Sequence, residues 1–395
     1  MIKIFHIADL HLGLHFNNHA EAKERLSKAR YETLENLVTE ANEREAHVFA
    51  IAGDLFDRTR MSVADIQRAV GAVRQFEGNV VLVLPGNHDY YTDDSDLWGR
   101  FSREVEGAGS NVKVLTKKEP VDLEDFGLDA VVWPAPCHAK HSGEHAVGWV
   151  QGQEKAAGKI HIGMAHGSIE GVSPDFDQRY FPMTVGELEG SGVDIWLMGH
   201  THITWPEKPG DKDKVFNPGT PEPDGFDCRH EGRAFLHTID VNKTINTDIL
   251  STGSYRFQKM EVSLNHSTDI DRLLNQFRAG DNPGSNREVG DSPGNDIQGN
   301  NREAGQHMKT VLALSVSGRL EPELYEHWRE GRQQIRNAVL ELKLDEAKLR
   351  EKITEEQIRT EFTTGSFPEQ LLSSFSEDQA DELQLAYELI REVRP

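Results

Sequence analysis

Cysteine is nearly absent: Cys137 and Cys228 are the only two in 395 residues, too few for a disulfide framework. No apolar run approaches the ~18–20 residues that a membrane helix needs, so no membrane span is expected. Basic residues are scarce, 43 Lys+Arg against 66 Asp+Glu, for a net charge of −23. Lys and Arg contacts to phosphate supply most non-specific affinity for nucleic acid, so strong autonomous binding to a polyanion is not expected. No serine or cysteine stands in a nucleophile motif. The opening Met1-Ile2-Lys3-Ile4-Phe5-His6 lacks the layout of a removable signal peptide, and a cytoplasmic setting is expected.

What the chain does have is five short polar segments, each placed after an apolar run. Asp9-Leu10-His11 follows Ile2–Ala8, and Gly53-Asp54-Leu55-Phe56-Asp57 follows Val48–Ala52. Gly86-Asn87-His88-Asp89 follows Val80–Leu84, Ala165-His166-Gly167 follows Ile160–Met164, and Gly199-His200-Thr201-His202 follows Val193–Met198. Short β-branched runs separated by helical patterns predict a layered α/β domain. In such sheets the loops beyond the strand ends gather at one edge, so carboxylates, histidines and an asparagine should converge there. Oxygen and imidazole donors without thiolate suit Mn²⁺, Fe²⁺ or Zn²⁺. In extended chain, residues i and i+2 point the same way, so Asp9 with His11, and His200 with His202, can grip ions together. Two cations roughly 3.5–4 Å apart need a bridging carboxylate, and Asp54 is the natural bridge. Alone, Gly53-Asp54 or Gly86-Asn87 would read as an ordinary turn; the ordered set of five reads as a site.

The ordered set D-x-H, G-D-x-x-D, G-N-H-D, H and G-H-x-H resembles the calcineurin-like metallophosphoesterase superfamily. The longer forms D-L-H-L-G, G-D-L-F-D and P-G-N-H-D, with Asn217-Pro218-Gly219-Thr220, are similar to the SbcD-type DNA repair nucleases. The motifs cover roughly residues 1–240, and the remainder matches by layout only. The resemblance implies a layered β-sandwich flanked by helices, a small α+β capping domain and a helical C-terminal tail. It implies two divalent ions, Mn²⁺ foremost, the first held by Asp9, His11, Asp54 and His202 and the second by Asp54, Asn87, His166 and His200. It makes His88 the catalytic group beside the scissile phosphate, since an imidazole can donate or accept a proton near neutrality. Asp57 and Asp89 are candidates for supporting roles behind the ligands; Asp57 stands where archaeal-type members often carry a histidine. The implied partners are DNA, an SMC-like ATPase of the SbcC type, and a second copy of the chain.

The length suggests two or three domains. Residues 1–250 hold the strand–helix alternation, with helical spacing at Leu26, Ala29, Leu34, Leu37, Val38 and Ala41, and a capping box at Ser62-Val63-Ala64-Asp65. Residues 255–320 read as the α+β unit, with strands at Phe257–Leu264 and Thr310–Val316 and a helix at Thr268–Arg278. Ala279–Gln306, dense in Gly, Asn, Asp, Ser and Pro, is expected to be a disordered insertion. Residues 321–395 are expected to be helical, with Leu340, Leu342, Leu344, Leu349 and Ile353 among charged residues, and a helix at Glu377–Val393. His6, His15, His19 and His47 draw no role, and Cys137, His138, His141 and His145 match no zinc spacing.

The expectation is a Mn²⁺-dependent DNA nuclease working with an ATPase partner. The acidic balance does not exclude this, because bound cations invert the local field and a partner can bring basic surface. One rival is a phosphoesterase acting on a small ester, a cyclic nucleotide or a phosphoprotein; the long post-motif region weighs against it. Another is a non-catalytic DNA-end tether, against which the complete donor set and His88 weigh.

Overall fold

The computed structural model describes every residue except 108–109, 279–307, 377–378 and 394–395; the expected insertion at Ala279–Gln306 lies outside the described residues. The chain divides into two compact units, Met1–Phe257 and Gln258–Pro395. The first unit runs β1 (Ile2–Ile7), α1 (Lys23–Glu43), β2 (Val48–Ala52), α2 (Val63–Val73), β3 (Val80–Leu84), α3 (Asp96–Val105), β4 (Val112–Val114), β5 (Val121–Asp122), β6 (Ala130–Ala135), β7 (Ile160–His166), α4 (Val185–Gly190), β8 (Ile195–Gly199), β9 (Val215–Phe216), β10 (Arg233–Ile239) and β11 (Ile245–Ser251).

These strands form two sheets, ordered β11-β10-β1-β2-β3-β4 and β5-β6-β7-β8-β9. β1, β2, β3 and β4 run parallel, as do β6, β7, β8 and β9. Their near-continuous Val, Ile, Leu and Ala content follows from burial on both faces. Alternation along each strand divides the two faces. Ile4, Val48, Ala50, Val80 and Leu82 meet Val132, Ile162, Met164, Ile195 and Leu197 in the space between the sheets. Phe5, Ile7, Phe49, Ile51, Val81 and Val83 instead pack under Leu34, Leu37 and Val38 of α1, Val70 and Val73 of α2, and Trp98 and Phe101 of α3. Beyond the second sheet, Trp133 and Trp196 are covered by Leu188 of α4 and by loop residues such as Val147 and Met183. The result is the expected β-sandwich flanked by helices. Ser62 caps α2, its Oγ accepting from the Asp65 N–H at 3.1 Å.

The second unit holds all but the first two residues of β12 (Arg256–Ser263), then α5 (Ser267–Gln276), β13 (Thr310–Leu320), α6 (Pro322–Ala338), β14 (Glu341–Glu351), α7 (Glu355–Glu361), α8 (Phe367–Leu372) and α9 (Ala380–Glu392). Its sheet is ordered β12-β13-β14, with Leu312, Leu314, Val316 and Leu342 packed under Leu273 and Leu274 of α5 and Trp328 and Ile335 of α6. Leu340, Leu342, Leu344 and Leu349, expected on a helix from their charged surroundings, lie in or beside β14, which pairs parallel with β13. Good helix formers such as Leu, Lys and Glu hold only a weak local preference, and tertiary pairing overrides it here. The parallel pair needs a crossover, which α6 supplies. Helical structure follows: α7, α8 and α9 close on Ile358, Phe362, Leu372 and Tyr387. No helix among the described residues is long and apolar enough to cross a membrane.

Candidate metal centre and active site

All five motif loops leave parallel strands at one edge of the sandwich. The loop after β1 is zipped to the loop after β2, with Asp9 N–H donating to the Gly53 carbonyl at 3.1 Å, His11 N–H to Asp54 at 3.0 Å and Leu12 N–H to Leu55 at 2.8 Å. Asp9, His11, Asp54 and His200 all adopt positive φ, at 56°, 47°, 51° and 100°. Such conformations cost non-glycine residues of order 1–3 kcal/mol each and gather at functional sites. The motif glycines are there for room. A Cβ on Gly53 would lie 2.0 Å from His166 Nδ1, and one on Gly86 2.2 Å from Asp54 Oδ1.

The donor atoms converge in two groups. In the first, His11 Nε2 lies 3.2 Å from His202 Nε2 and 3.7 Å from Asp54 Oδ2, and Asp9 Oδ1 lies 4.0 Å from His202 Nε2. In the second, Asn87 Oδ1 is 2.9 Å from both His166 Nε2 and His200 Nδ1, and His166 Nε2 is 3.3 Å from Asp54 Oδ2. Asp54 Oδ2 faces both groups, and Asp9 Oδ1 also lies 4.0 Å from His202 Nε2 and from His166 Nε2, while Asp54 Oδ1 accepts the His88 N–H at 2.8 Å. Donors bound at about 2.0–2.2 Å to one ion stand about 3–3.5 Å apart, which the spacings approach. Asp9, His11 and His202 form one set able to hold a metal ion, and Asp9, Asp54 and His166 another. The oxygen and imidazole donors, all deeply buried except the partly open His200 and His202, fit divalent cations.

Burial and the close carboxylate–imidazole contacts shift these groups in opposite directions. Burial alone would lower His166, but Asp54 and Asp9 outweigh it and raise its pKa to about 9. His202 likewise rises to about 9 against its burial, chiefly through Asp224. Burial pushes Asp9 up to about 6, whereas Asp54, despite burial, is held well below the usual carboxylate range by His166 and His11. Burial and the neighbouring His166 hold His200 down at about 3.

His88 stands at the mouth with 37% of its side chain exposed. Its ring meets His11 edge-on at 4.8 Å, and its Nδ1 lies 3.0 Å from the Asp57 carbonyl oxygen. A carbonyl only accepts, so in the neutral ring Nδ1 carries the hydrogen and Nε2 is free. The Asp57 carboxylate lies 3.8 Å from His11 Nδ1 and 3.9 Å from His88 Nδ1, so it joins the cluster. Asp89 directs its carboxylate to backbone rather than to the donors. It is fully buried and accepts from Phe56 N–H at 3.0 Å and Gly86 N–H at 2.7 Å, locking the second motif loop to the third. Burial and the nearby Asp54 push its carboxyl up to about 8.

The late motif supports the site from behind. Asn217 Nδ2 donates to the Thr201 carbonyl at 3.0 Å, between His200 and His202, and the Thr220 hydroxyl lies 2.9 Å from the Asp9 carbonyl. Four further neighbours had no signal in the sequence. Asp224 Oδ2 is 2.9 Å from His202 Nδ1, Tyr180 lays its ring 4.8 Å from that of His200, and Arg30 and Glu222 are buried beneath. Asp224 sits in Glu222-Pro223-Asp224-Gly225, which reads as a turn, and Arg30 in the middle of a helix. The histidines after Cys137 do not gather: His145 faces Glu187 at 3.6 Å, His141 packs on Tyr180, and Cys137 Sγ donates to the His166 carbonyl at 3.3 Å.

Residues 2–204 match the Metallophos family, the calcineurin-like phosphoesterases. The chain belongs to this family. Members are metal-dependent phosphoesterases, and this calcineurin-like phosphoesterase carries candidate ligand clusters for divalent ions. Over 213 residues it is 27% identical to YhaO of Bacillus subtilis, described as an uncharacterized metallophosphoesterase; the match covers 51% of this chain and 48% of YhaO. Over 245 residues it is 24% identical to the DNA double-strand break repair protein Mre11 of Methanopyrus kandleri, covering 56% of this chain and 49% of that protein. The phosphoesterase chain thus spans about half the length of the curated relatives it matches. Superposition on the crystal structure of TT1561 of Thermus thermophilus gives a TM-score of 0.36 at 12% identity, covering 62% of this chain and 98% of that one.

Proposed function

We propose that this phosphoesterase is a Mn²⁺-dependent DNA nuclease of the SbcD type, hydrolysing phosphodiesters at DNA ends in double-strand-break repair with an SMC-like ATPase of the SbcC type. The observation that carries the hydrolytic reading is Asp54 Oδ2, which stands within 3.7 Å of His11 Nε2 in one donor group and 3.3 Å of His166 Nε2 in the other, closer than the 4.0 Å of Asp9 Oδ1 to each group. Asp9, His11, Asp54 and His202 would hold one cation, and Asp54, Asn87, His166 and His200 the other. When bound, such a pair supplies charge neutralisation for the phosphate and a more acidic water. The residues do the rest. Asp54 Oδ1 fixes the His88 backbone and the Asp57 carbonyl engages its Nδ1, which holds the part-exposed ring in place and leaves Nε2 for the substrate. From there the protonated ring gives its hydrogen to the departing oxygen, or the neutral ring positions the phosphate. The Asp57 carboxylate lies within 3.9 Å of a ring nitrogen of both His11 and His88.

The DNA substrate is supported by the motif resemblance and by the similarity to a protein named as an Mre11 repair protein. The partner is supported by the last helix. Leu385 and Leu389 of α9 are 59% and 52% exposed one turn apart, with Val393 beyond them at 80%, an unburied stripe of the sort that enters a partner groove. The net charge of −23 favours a second reading, a small phosphodiester or monoester as substrate. Incubation with Mn²⁺ and linear duplex DNA, a cyclic nucleotide or a chromogenic phosphate ester decides between them. Shortening of the DNA from its ends is the expected result; turnover of the cyclic nucleotide with intact DNA would reverse the assignment.

A further inference from the structure

His202 is the last of the donors in chain order, and its ring is gripped from both sides. Its Nε2 faces His11 Nε2 at 3.2 Å and Asp9 Oδ1 at 4.0 Å, while its Nδ1 lies 2.9 Å from Asp224 Oδ2. An ionised carboxylate only accepts, so Nδ1 carries the hydrogen and the Nε2 lone pair of the neutral ring is directed at the other donors.

The segment that carries Asp224 is held without help from His202. Pro221 and Pro223 restrict the backbone on either side of Glu222. Glu222 is buried and accepts from the Thr33 hydroxyl at 2.7 Å, Ser254 N–H at 2.8 Å and Tyr255 N–H at 2.9 Å. Arg30, fully buried in α1, donates to the Glu222 carbonyl at 3.2 Å and to the Leu10 carbonyl at 2.5 Å. Leu10 lies between Asp9 and His11, so one buried guanidinium ties the segment bearing Asp224 to the loop bearing two donors. The Thr220 hydroxyl repeats the tie between the carbonyls of Asp9 and Glu222, at 2.9 and 2.8 Å.

We propose that Asp224 is a positioning residue for metal binding: it fixes the tautomer and plane of the His202 ring, while Arg30 and Glu222 anchor the segment that carries it. The inference rests on His202 being a metal ligand. Carboxylates that hold the far nitrogen of a ligating imidazole contribute typically ~10–100-fold in metal affinity.

The test is calorimetric titration of the full-length chain with Mn²⁺, on the parent protein, Asp224→Asn, Asp224→Ala, His202→Ala and the Asp224→Ala/His202→Ala double variant. Asp224→Ala should weaken one of two ions by ~10–100-fold and leave the other in place. Asp224→Asn, which keeps an acceptor oxygen, should lose less and guards against a folding defect in the alanine variant. In the His202→Ala background the Asp224 substitution should add nothing, because the ring it acts through is gone. A loss of the same size in both backgrounds, or unchanged binding in Asp224→Ala, overturns the inference while leaving the ligand assignment standing. His202→Ala binding both ions with parental affinity would overturn the ligand assignment, and this inference with it.

Discussion

At the residue scale, the candidate donors are legible because each stands at the end of a strand or within four residues of it, where the local sequence marks the place. Asp224, Arg30 and Glu222 were not, since distant segments bring them to the site and none has a local pattern of its own. His88 tests the chemistry without disturbing the ligands. His88→Asn should lower turnover by ~10²–10⁴-fold with both ions and substrate affinity retained, as measured by steady-state rates and elemental analysis; loss of an ion would make His88 a ligand. Gly53 tests the crowding: a Cβ there would overlap His166, in a backbone with φ of 96°. Gly53→Ala should therefore cut metal content and activity together, and full metal content in that variant would contradict the close approach.

At the element scale, the long apolar strands of the first unit could be read from sequence, whereas β4, β5 and β9, of two or three residues each, are too short to leave a periodic signal. β14 was misread for a different reason: its Leu, Glu and Lys content favours helix, and only pairing with β13 makes it a strand. His6 of β1 drew no role, yet it joins the sheets. Its Nε2 lies 3.1 Å from the Met198 carbonyl of β8, and its Nδ1 is 3.3 Å from His237 Nε2 of β10, whose Nδ1 is 2.8 Å from the Thr247 hydroxyl. One set of neutral tautomers satisfies that chain. Burial lowers His6 to about 3 and puts His237 well below its ordinary value. A histidine whose folded value is depressed contributes stability that is complete above about 6.5 and is lost as pH falls below it. Each contributes a slope of about 1.4 kcal/mol per pH unit in that window. His237→Gln should flatten the fall in melting temperature between pH 6.5 and 4; an unchanged slope would show that the pair does not titrate there.

At the scale of the whole molecule, the acidic balance bears on the proposed DNA substrate. Binding of DNA by the isolated chain should be weak and should collapse as salt rises, with a basic partner restoring it. Because β14 belongs to the second unit's sheet, cutting the chain near Glu321 would remove a core strand, so point changes on α9 test the docking better. Leu385→Glu with Leu389→Glu should abolish copurification with the proposed ATPase partner and spare hydrolysis of a small ester; an intact complex would place the docking surface elsewhere. The central claim, one carboxylate oxygen shared by two cations, is tested most directly by counting Mn²⁺ ions in Asp54→Ala beside Asn87→Ala by calorimetric titration. The account predicts two ions in the parent protein, one in Asn87→Ala, and loss of both together in Asp54→Ala. An Asp54→Ala protein that still binds one ion tightly would contradict it.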